Sequence, residues 1–163
     1  MATKTRPLIK EPIDYKLAVA VSDRVNIQNV RLVESQCRQT PEAGRRNCDI
    51  QIDWNVHTRA DKKNDGVLVF PTFKLIAFDI KKGPDKPELS IDATFVLIYK
   101  AERIGKLKQE NFEAFGKSNG IYNAWPYWRE YVQNTVARMG LPPLTIPVFR
   151  LLPPKQKTGK EPK

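Results

Sequence analysis

A single histidine, His57, and two cysteines, Cys37 and Cys48, are all the thiol and imidazole chemistry this 163-residue sequence holds. The cysteines lack CxxC spacing, and with one histidine a zinc site would be short of ligands. One disulfide is geometrically possible, but reduced thiols are the ordinary state in a cytosolic chain. Long apolar runs are missing too. The longest, Phe95–Tyr99, is strand-sized, far below the roughly 20 residues of a membrane helix, so membrane insertion is not expected. The basic start Met1–Pro7 is followed by no apolar h-region, so the expected location is cytoplasmic. GxxxxGK(S/T) and GxGxxG are absent as well, and with them any sign of a phosphate cradle.

What is present is the composition of one ordinary globular domain: 40% hydrophobic and 28% charged residues in a length that builds one core comfortably and two poorly. The formal net charge of +10 favours acidic partners. Part of that excess sits at the ends, in Lys4, Arg6 and Lys10 and in Lys155, Lys157, Lys160 and Lys163. Ends of this kind are usually solvated. Residues 1–14 therefore read as a flexible leader, 15–152 as the domain and 153–163 as a basic disordered tail.

Within the domain, periodicity two dominates. Residues 15–37 read as extended, with a phase shift after Asn29 that marks a bulge or two consecutive strands. A polar loop follows from Gln39 to Asn47. In Cys48–Thr58, residues Cys48, Ile50, Ile52, Trp54 and Val56 alternate with polar neighbours, the pattern of a sheet with one dry face. Asp65-Gly66 signals a hairpin, and Pro71 in the next strand argues for an edge or a bulge there. Lys82–Pro87 is a turn, and Leu89–Tyr99 is another alternating strand. The region 107–120 is ambiguous, with a short helix around Asn111–Phe115. The best helix spans about Pro126 to Met139, with Pro126 in its first turn and Gly140 as its stop. The fold class is α+β: a four-stranded antiparallel sheet followed by one long helix.

Catalysis finds little support. His57 stands on the polar side of an alternating strand, where a solvated histidine is the simplest reading, and Asp49 and Asp53 share that wet face. The chain reads as a non-enzyme that needs no cofactor. Nucleic-acid binding is the alternative, through Arg45-Arg46, Lys62-Lys63, Lys74 and Lys81-Lys82 with Trp54, Phe70 and Phe73 as stacking groups. However, aromatics in alternating strands usually belong to the core, and no nucleic-acid-binding motif is present. A structural subunit of a larger assembly is the other alternative.

The most distinctive segments are Asn123-Ala124-Trp125-Pro126-Tyr127-Trp128-Arg129-Glu130 and Met139-Gly140-Leu141-Pro142-Pro143-Leu144-Thr145-Ile146-Pro147. They resemble the SecB protein-export chaperone family, in which an aromatic-Pro-aromatic-x-Arg-Glu segment opens the long helix and a Pro-rich stretch follows a terminating glycine. The resemblance implies an ATP-independent holdase for unfolded or partly folded polypeptides, assembled as a homo-oligomer, a dimer or a dimer of dimers. Apolar, extended residues near the Pro-rich stretch are then the client-binding candidates: Trp54, Val56, Leu144, Ile146, Val148 and Phe149. Tyr127, Trp128, Tyr131 and Thr135 on the long helix are the interface candidates. Two departures stand out. The family's second helix has no room after Phe149, where the chain runs into prolines and lysines. Asn29 and Arg31 lie in the first-strand region where the family carries acidic residues for the SecA motor, and Lys81-Lys82 occupies the turn region of the second hairpin, which argues against SecA docking. A dedicated client such as an antitoxin, rather than general export, suits the sequence at least as well.

Overall fold

A computed structural model describes residues 13–44 and 48–149. The expected leader, apart from Ile13 and Asp14, and the expected basic tail lie outside the described residues. The element order is α1 (Tyr15–Ser22), β1 (Val25–Gln39), β2 (Cys48–Asp61), β3 (Gly66–Asp79), β4 (Leu89–Ala101), α2 (Gln109–Phe115), a π-helical turn (Gly116–Gly120) and α3 (Ile121–Arg138). The strands form one antiparallel sheet in the order β1-β4-β3-β2. The meander β2-β3-β4 is therefore continuous, and the chain crosses over from β1 to the far edge to begin it.

Residues 15–22 correct the extended reading of this stretch. They form a helix because Asp14 Oδ1 accepts hydrogen bonds from the amides of Lys16 and Leu17, at 3.0 and 3.3 Å, which caps the first turn. Ala18 and Val21 then bury against the body of the protein, and Asn111 of α2 donates to the Leu17 carbonyl at 3.2 Å. The alternation of Leu17, Val19 and Val21 is misleading, since Val19 points to solvent. The phase shift after Asn29 resolves into bulges: the β1–β4 register slips between Ile27 and Asn29 and again between Leu32 and Glu34.

Pro71 lies inside the sheet rather than at an edge. It opposes Val56 on the β2 side, while pairing with β4 lapses between Val69↔Leu97 and Thr72↔Thr94 and resumes without a slip. A missing amide donor is tolerated where one ladder is already interrupted. Pro126 is likewise displaced from its expected place. It sits in the interior of α3, because burial of Ile121, Ala124, Trp125 and Trp128 at helical spacing carries the helix a further turn upstream. Gly140 ends it as expected, with φ of 70° and backbone bonds from Gly140 to Ala137 and from Leu141 to Val136.

The helices cover one sheet face. Their buried side chains, among them Phe112, Phe115, Ile121, Trp128 and Val132, meet Val67, Val69, Phe73, Leu75, Ile91 and Leu97 from the central strands. Phe73 is at the centre, stacked on Trp128 at 5.3 Å and edge-on to Trp125 at 5.7 Å. Tyr99 closes the other end, edge-on to Phe115 and hydrogen-bonded through its hydroxyl to Asn123. Burial pushes its phenol up to about 12. A raised pKa stabilises the fold fully below the unfolded value near 10, and that contribution is lost as pH rises through about 12. Denaturant titration between pH 9 and 12 is expected to show stability falling across this window, with a shallower fall in Tyr99→Phe.

Candidate functional site

A small apolar cleft of about 40 Å³ opens where the crossover, the start of the meander and the end of α3 converge. Its walls are Ala43 and Gly44 of the crossover, Cys48 and Ile50 of β2, Ala77 of β3, Leu89 of β4, Val136 of α3 and Leu141, Pro142 and Leu144 beyond it. The local sequence explains this convergence. Thr40 donates its amide to the Glu88 carbonyl at 2.9 Å, which turns the chain away from β1 across the end of the sheet. Gly44 then takes a φ of 77°, and a side chain there would meet Leu141 and Pro142 at 3.0 Å. The two backbone segments close on one another only because position 44 has no Cβ.

Among the described residues Glu88 is the one charged wall residue, and it is almost fully buried. Its carboxylate accepts a hydrogen bond from Lys82 at 3.2 Å and a longer one from the Cys48 thiol at 3.7 Å. Burial, and then the adjacent carboxylate, push the Cys48 thiol above its usual range. The cleft therefore offers apolar surface, with its charge paired toward Lys82. Among the described residues no cluster of His, Cys, Asp or Glu is arranged to hold a metal ion, and no helix is long and apolar enough to cross a membrane.

The client-binding candidates are divided by the fold. Leu144 lines the cleft. Ile146 and Phe149 are buried beside it, where Phe149 packs on Trp125 at 5.2 Å and on Trp54 at 6.4 Å. Val148 is exposed. Val56 lies away from this group, under the π turn at Gly116. The residues after α3 are anchored by two side chains that the sequence pattern did not single out for this purpose: Trp125 Nε1 donates to the Pro147 carbonyl at 2.8 Å, and Arg129 Nε to the Ile146 carbonyl at 2.7 Å. Gly44, Val136 and Leu141 were also missed, because only the tertiary fold brings them together.

The helix candidates separate as well. Trp128 is fully buried in the chain's own core. Tyr131 is half-buried, edge-on to Phe95, with its hydroxyl 3.5 Å from Cys37 Sγ of β1. Thr135 is half-buried and Tyr127 is 49% exposed. Beside them, on the helix-side face of edge strand β1, Ile27 and Leu32 are each 45% exposed. Among the described residues nothing covers this apolar strip between α3 and β1.

Among the described residues no helix covers the opposite sheet face. It mixes Leu68, Phe70, Ile76, Val96 and Ile98 with charges of both signs, Arg31, Arg38, Arg59 and Lys74 among Glu34, Asp49, Asp53 and Asp92. Asn29 and Arg31 belong to this face, opposite Ile98 and Val96.

No family model matches the sequence, and no curated protein matches it. Solved structures do. A protein of unknown function from Streptococcus agalactiae superposes with a TM-score of 0.44 and 7% identity over 76% of this chain and 96% of its own, too remote to carry an argument. The SecB-like chaperone of Mycobacterium tuberculosis, solved in complex with a ChAD peptide from the HigA1 antitoxin, superposes with a TM-score of 0.73 and 20% identity, covering 83% of this chain and 96% of its own. The four-stranded sheet with its crossover, the long helix and the segment beyond it thus have the fold of a SecB-like subunit.

Proposed function

We propose that this protein is an ATP-independent chaperone that holds a dedicated polypeptide client in a non-native state. The observation that carries the reading is the cleft between crossover and C-terminal segment, nearly all apolar and set at the end of a SecB-like fold. A cleft whose described walls are apolar but for one internally paired charge suits extended chains of varied sequence, because apolar burial makes few geometric demands. The structural neighbour was solved with an antitoxin peptide, which supports a dedicated client over general export. The mixed charge of the open sheet face supports the same choice, since it provides no acidic field for SecA. The reading requires no catalytic group and no cofactor, and it places the protein in the cytoplasm.

The apolar strip of Ile27, Leu32, Tyr127 and Tyr131 fits a second copy of the chain. β1 is a 15-residue edge strand exposed along most of its length, and natural proteins rarely leave such an edge uncovered. Homo-oligomerisation through this strip is therefore part of the proposal.

Nucleic-acid binding is less well supported by the positions of its residues. Phe73 is buried and Trp54 is packed on Phe149. Lys62 is engaged, donating to the carbonyls of Gly105 and Leu107 at 3.1 and 2.7 Å. Arg45-Arg46 lies outside the described residues.

The purified protein is expected to suppress aggregation of an unfolded model protein without ATP, at a stoichiometry of about one client per oligomer. Leu144→Asp should abolish suppression while the protein stays folded, with a lowered melting temperature and an unchanged light-scattering mass. A wild-type protein that fails to suppress aggregation, or a variant as effective as wild type, would refute the reading. Insensitivity to 0.5 M salt separates apolar holding from phosphate-driven binding.

A further inference from the structure

A wider hollow of about 570 Å³ adjoins the apolar cleft, and its chemistry is different. Thr40 and Glu42 of the crossover line it, with Lys81, Lys82, Lys86 and Glu88 of the turn between β3 and β4. Glu88 lines hollow and cleft alike, so the two are direct neighbours. The local sequence holds the lysines in place. Asp79 Oδ1 accepts from the Lys81 amide at 2.9 Å, and the Asp79 carbonyl accepts from the amides of Lys82 and Gly83 at 2.9 and 3.0 Å. Gly83, with a φ of 75°, then reverses the chain. Charge within the hollow is unevenly committed. Lys82 is paired with Glu88 at 3.2 Å, and Glu42 has an interaction of its own. Lys81 and Lys86 are exposed and, among the described residues, belong to no ion pair. Thr40 Oγ1 is buried and, among the described residues, has no hydrogen-bond partner. Two uncommitted ammonium groups and a spare hydroxyl thus stand beside an apolar cleft.

We propose that this hollow is a carboxylate-binding subsite that selects acidic polypeptides, with Lys81 and Lys86 as its specificity-determining residues. A chain whose apolar residues enter the cleft sets its nearby Asp and Glu side chains against the two lysines. That the ligand is a client rests on the chaperone reading, whereas the preference of the site for carboxylates does not. Lysines suit this task. Each is a point charge on a flexible stem with rotatable donors, so carboxylates at varied positions along a chain are accepted without fixed geometry. A dedicated small-anion site would instead gather backbone amides or a planar guanidinium around one position. The width of the hollow agrees, since about 570 Å³ is far more than a single inorganic anion fills. The same lysines act against basic chains by repulsion, and discrimination needs that as much as attraction. The formal net charge of +10 favours acidic partners over the whole surface; the hollow gives that preference a place.

The test uses the full chain and two fluorescein-labelled peptides that share a core of leucine and valine, one flanked by glutamates and the other by lysines. Fluorescence anisotropy at low salt should show wild type binding the glutamate peptide about tenfold more tightly. At about 0.5 M salt the preference should vanish while both peptides still bind. Lys81→Glu/Lys86→Glu should lose the preference or reverse it. Lys63→Glu/Lys100→Glu makes the same change in net charge at exposed positions toward the opposite end of the sheet, and should keep it. Equal affinity of wild type for the two peptides overturns the subsite. So does a preference that survives in Lys81→Glu/Lys86→Glu, or one lost equally in Lys63→Glu/Lys100→Glu. Displacement of the glutamate peptide by inorganic phosphate or a single-stranded oligonucleotide, at matched ionic strength, marks a phosphate site and overturns it too. Equal affinities alongside intact aggregation suppression leave the chaperone reading standing. A preference that depends on Lys81 and Lys86, without suppression, overturns that reading and leaves the subsite.

Discussion

Gly116→Ala is expected to destabilise the protein by about 3 kcal/mol, and the loss is expected to disappear when Thr58 is also replaced by alanine. Gly116 begins the π turn that joins α2 to α3, and this turn lies directly on the sheet. A Cβ at position 116 would stand 2.1 Å from Thr58 Oγ1, far inside contact distance, with Thr58 Cβ and Val56 Cγ2 next at 3.4 Å. Thr58 is buried on β2, and a β-branched side chain in a strand has little rotamer freedom to retreat. The helical layer must therefore lift, loosening Phe112, Phe115 and Ile121 from the strands beneath, and overpacking of this kind costs about 1–3 kcal/mol before any backbone shift. Removing the obstructing hydroxyl leaves only ordinary contacts. Thr58→Ala alone should be close to neutral: among the described residues Oγ1 has no hydrogen-bond partner in its buried position, and relief of that penalty, about 1–3 kcal/mol, offsets the lost methyl contact. Urea unfolding of the two single variants and the double variant measures the coupling. A double variant as unstable as Gly116→Ala alone would place the strain elsewhere.

The same pair of residues shows where sequence reading stops. The alternation through Cys48–Thr58 and Leu89–Tyr99 gave the meander, because each inward side chain of an antiparallel strand has the same environment regardless of its partner. Pairings of strand with π turn have no such periodicity. The spacing of Gly116 and Thr58 acquires meaning only once α2 is docked. Helix α1 was hidden for a related reason. Its eight residues are too few to be stable alone, and they depend on Asp14 and on docking against α2. The apolar liners of the cleft come from six separate stretches of chain, whereas Leu144 was legible because the Pro-rich segment around it is local. Crowding of Trp125, Tyr127, Trp128 and Tyr131 in one stretch was legible too, but not its division. A helix turns 100° per residue, so adjacent aromatics diverge. Trp125 and Trp128 go to the core, Tyr127 to solvent, and Tyr131 lies between.

That division makes a second prediction of comparable size. Trp128→Ala is expected to cost about 3–5 kcal/mol and to leave the chain largely unfolded at every protein concentration. The indole is fully buried and lies flat on Phe73, 5.3 Å away at 12°, so its removal opens a large hole at the centre of the core. Trp128→Phe should retain most of the stability, since it preserves the stack and removes an indole N–H that is buried without a partner among the described residues. Tyr127→Glu should behave in the opposite way. Its side chain is exposed beside Tyr131 and the uncovered face of β1, so a charge there leaves the subunit folded while opposing burial against a second copy. Circular dichroism should match wild type, the light-scattering mass should fall to a smaller species, and the melting temperature should lose its dependence on concentration. Tyr131→Glu is a poorer probe of the interface, because its ring also packs on Phe95 and Trp128 within the subunit. If Tyr127→Glu keeps the wild-type mass, the strip between α3 and β1 does not join two copies. If Trp128→Ala folds normally but dissociates, the tryptophan serves the assembly rather than the core, contrary to its burial within a single chain.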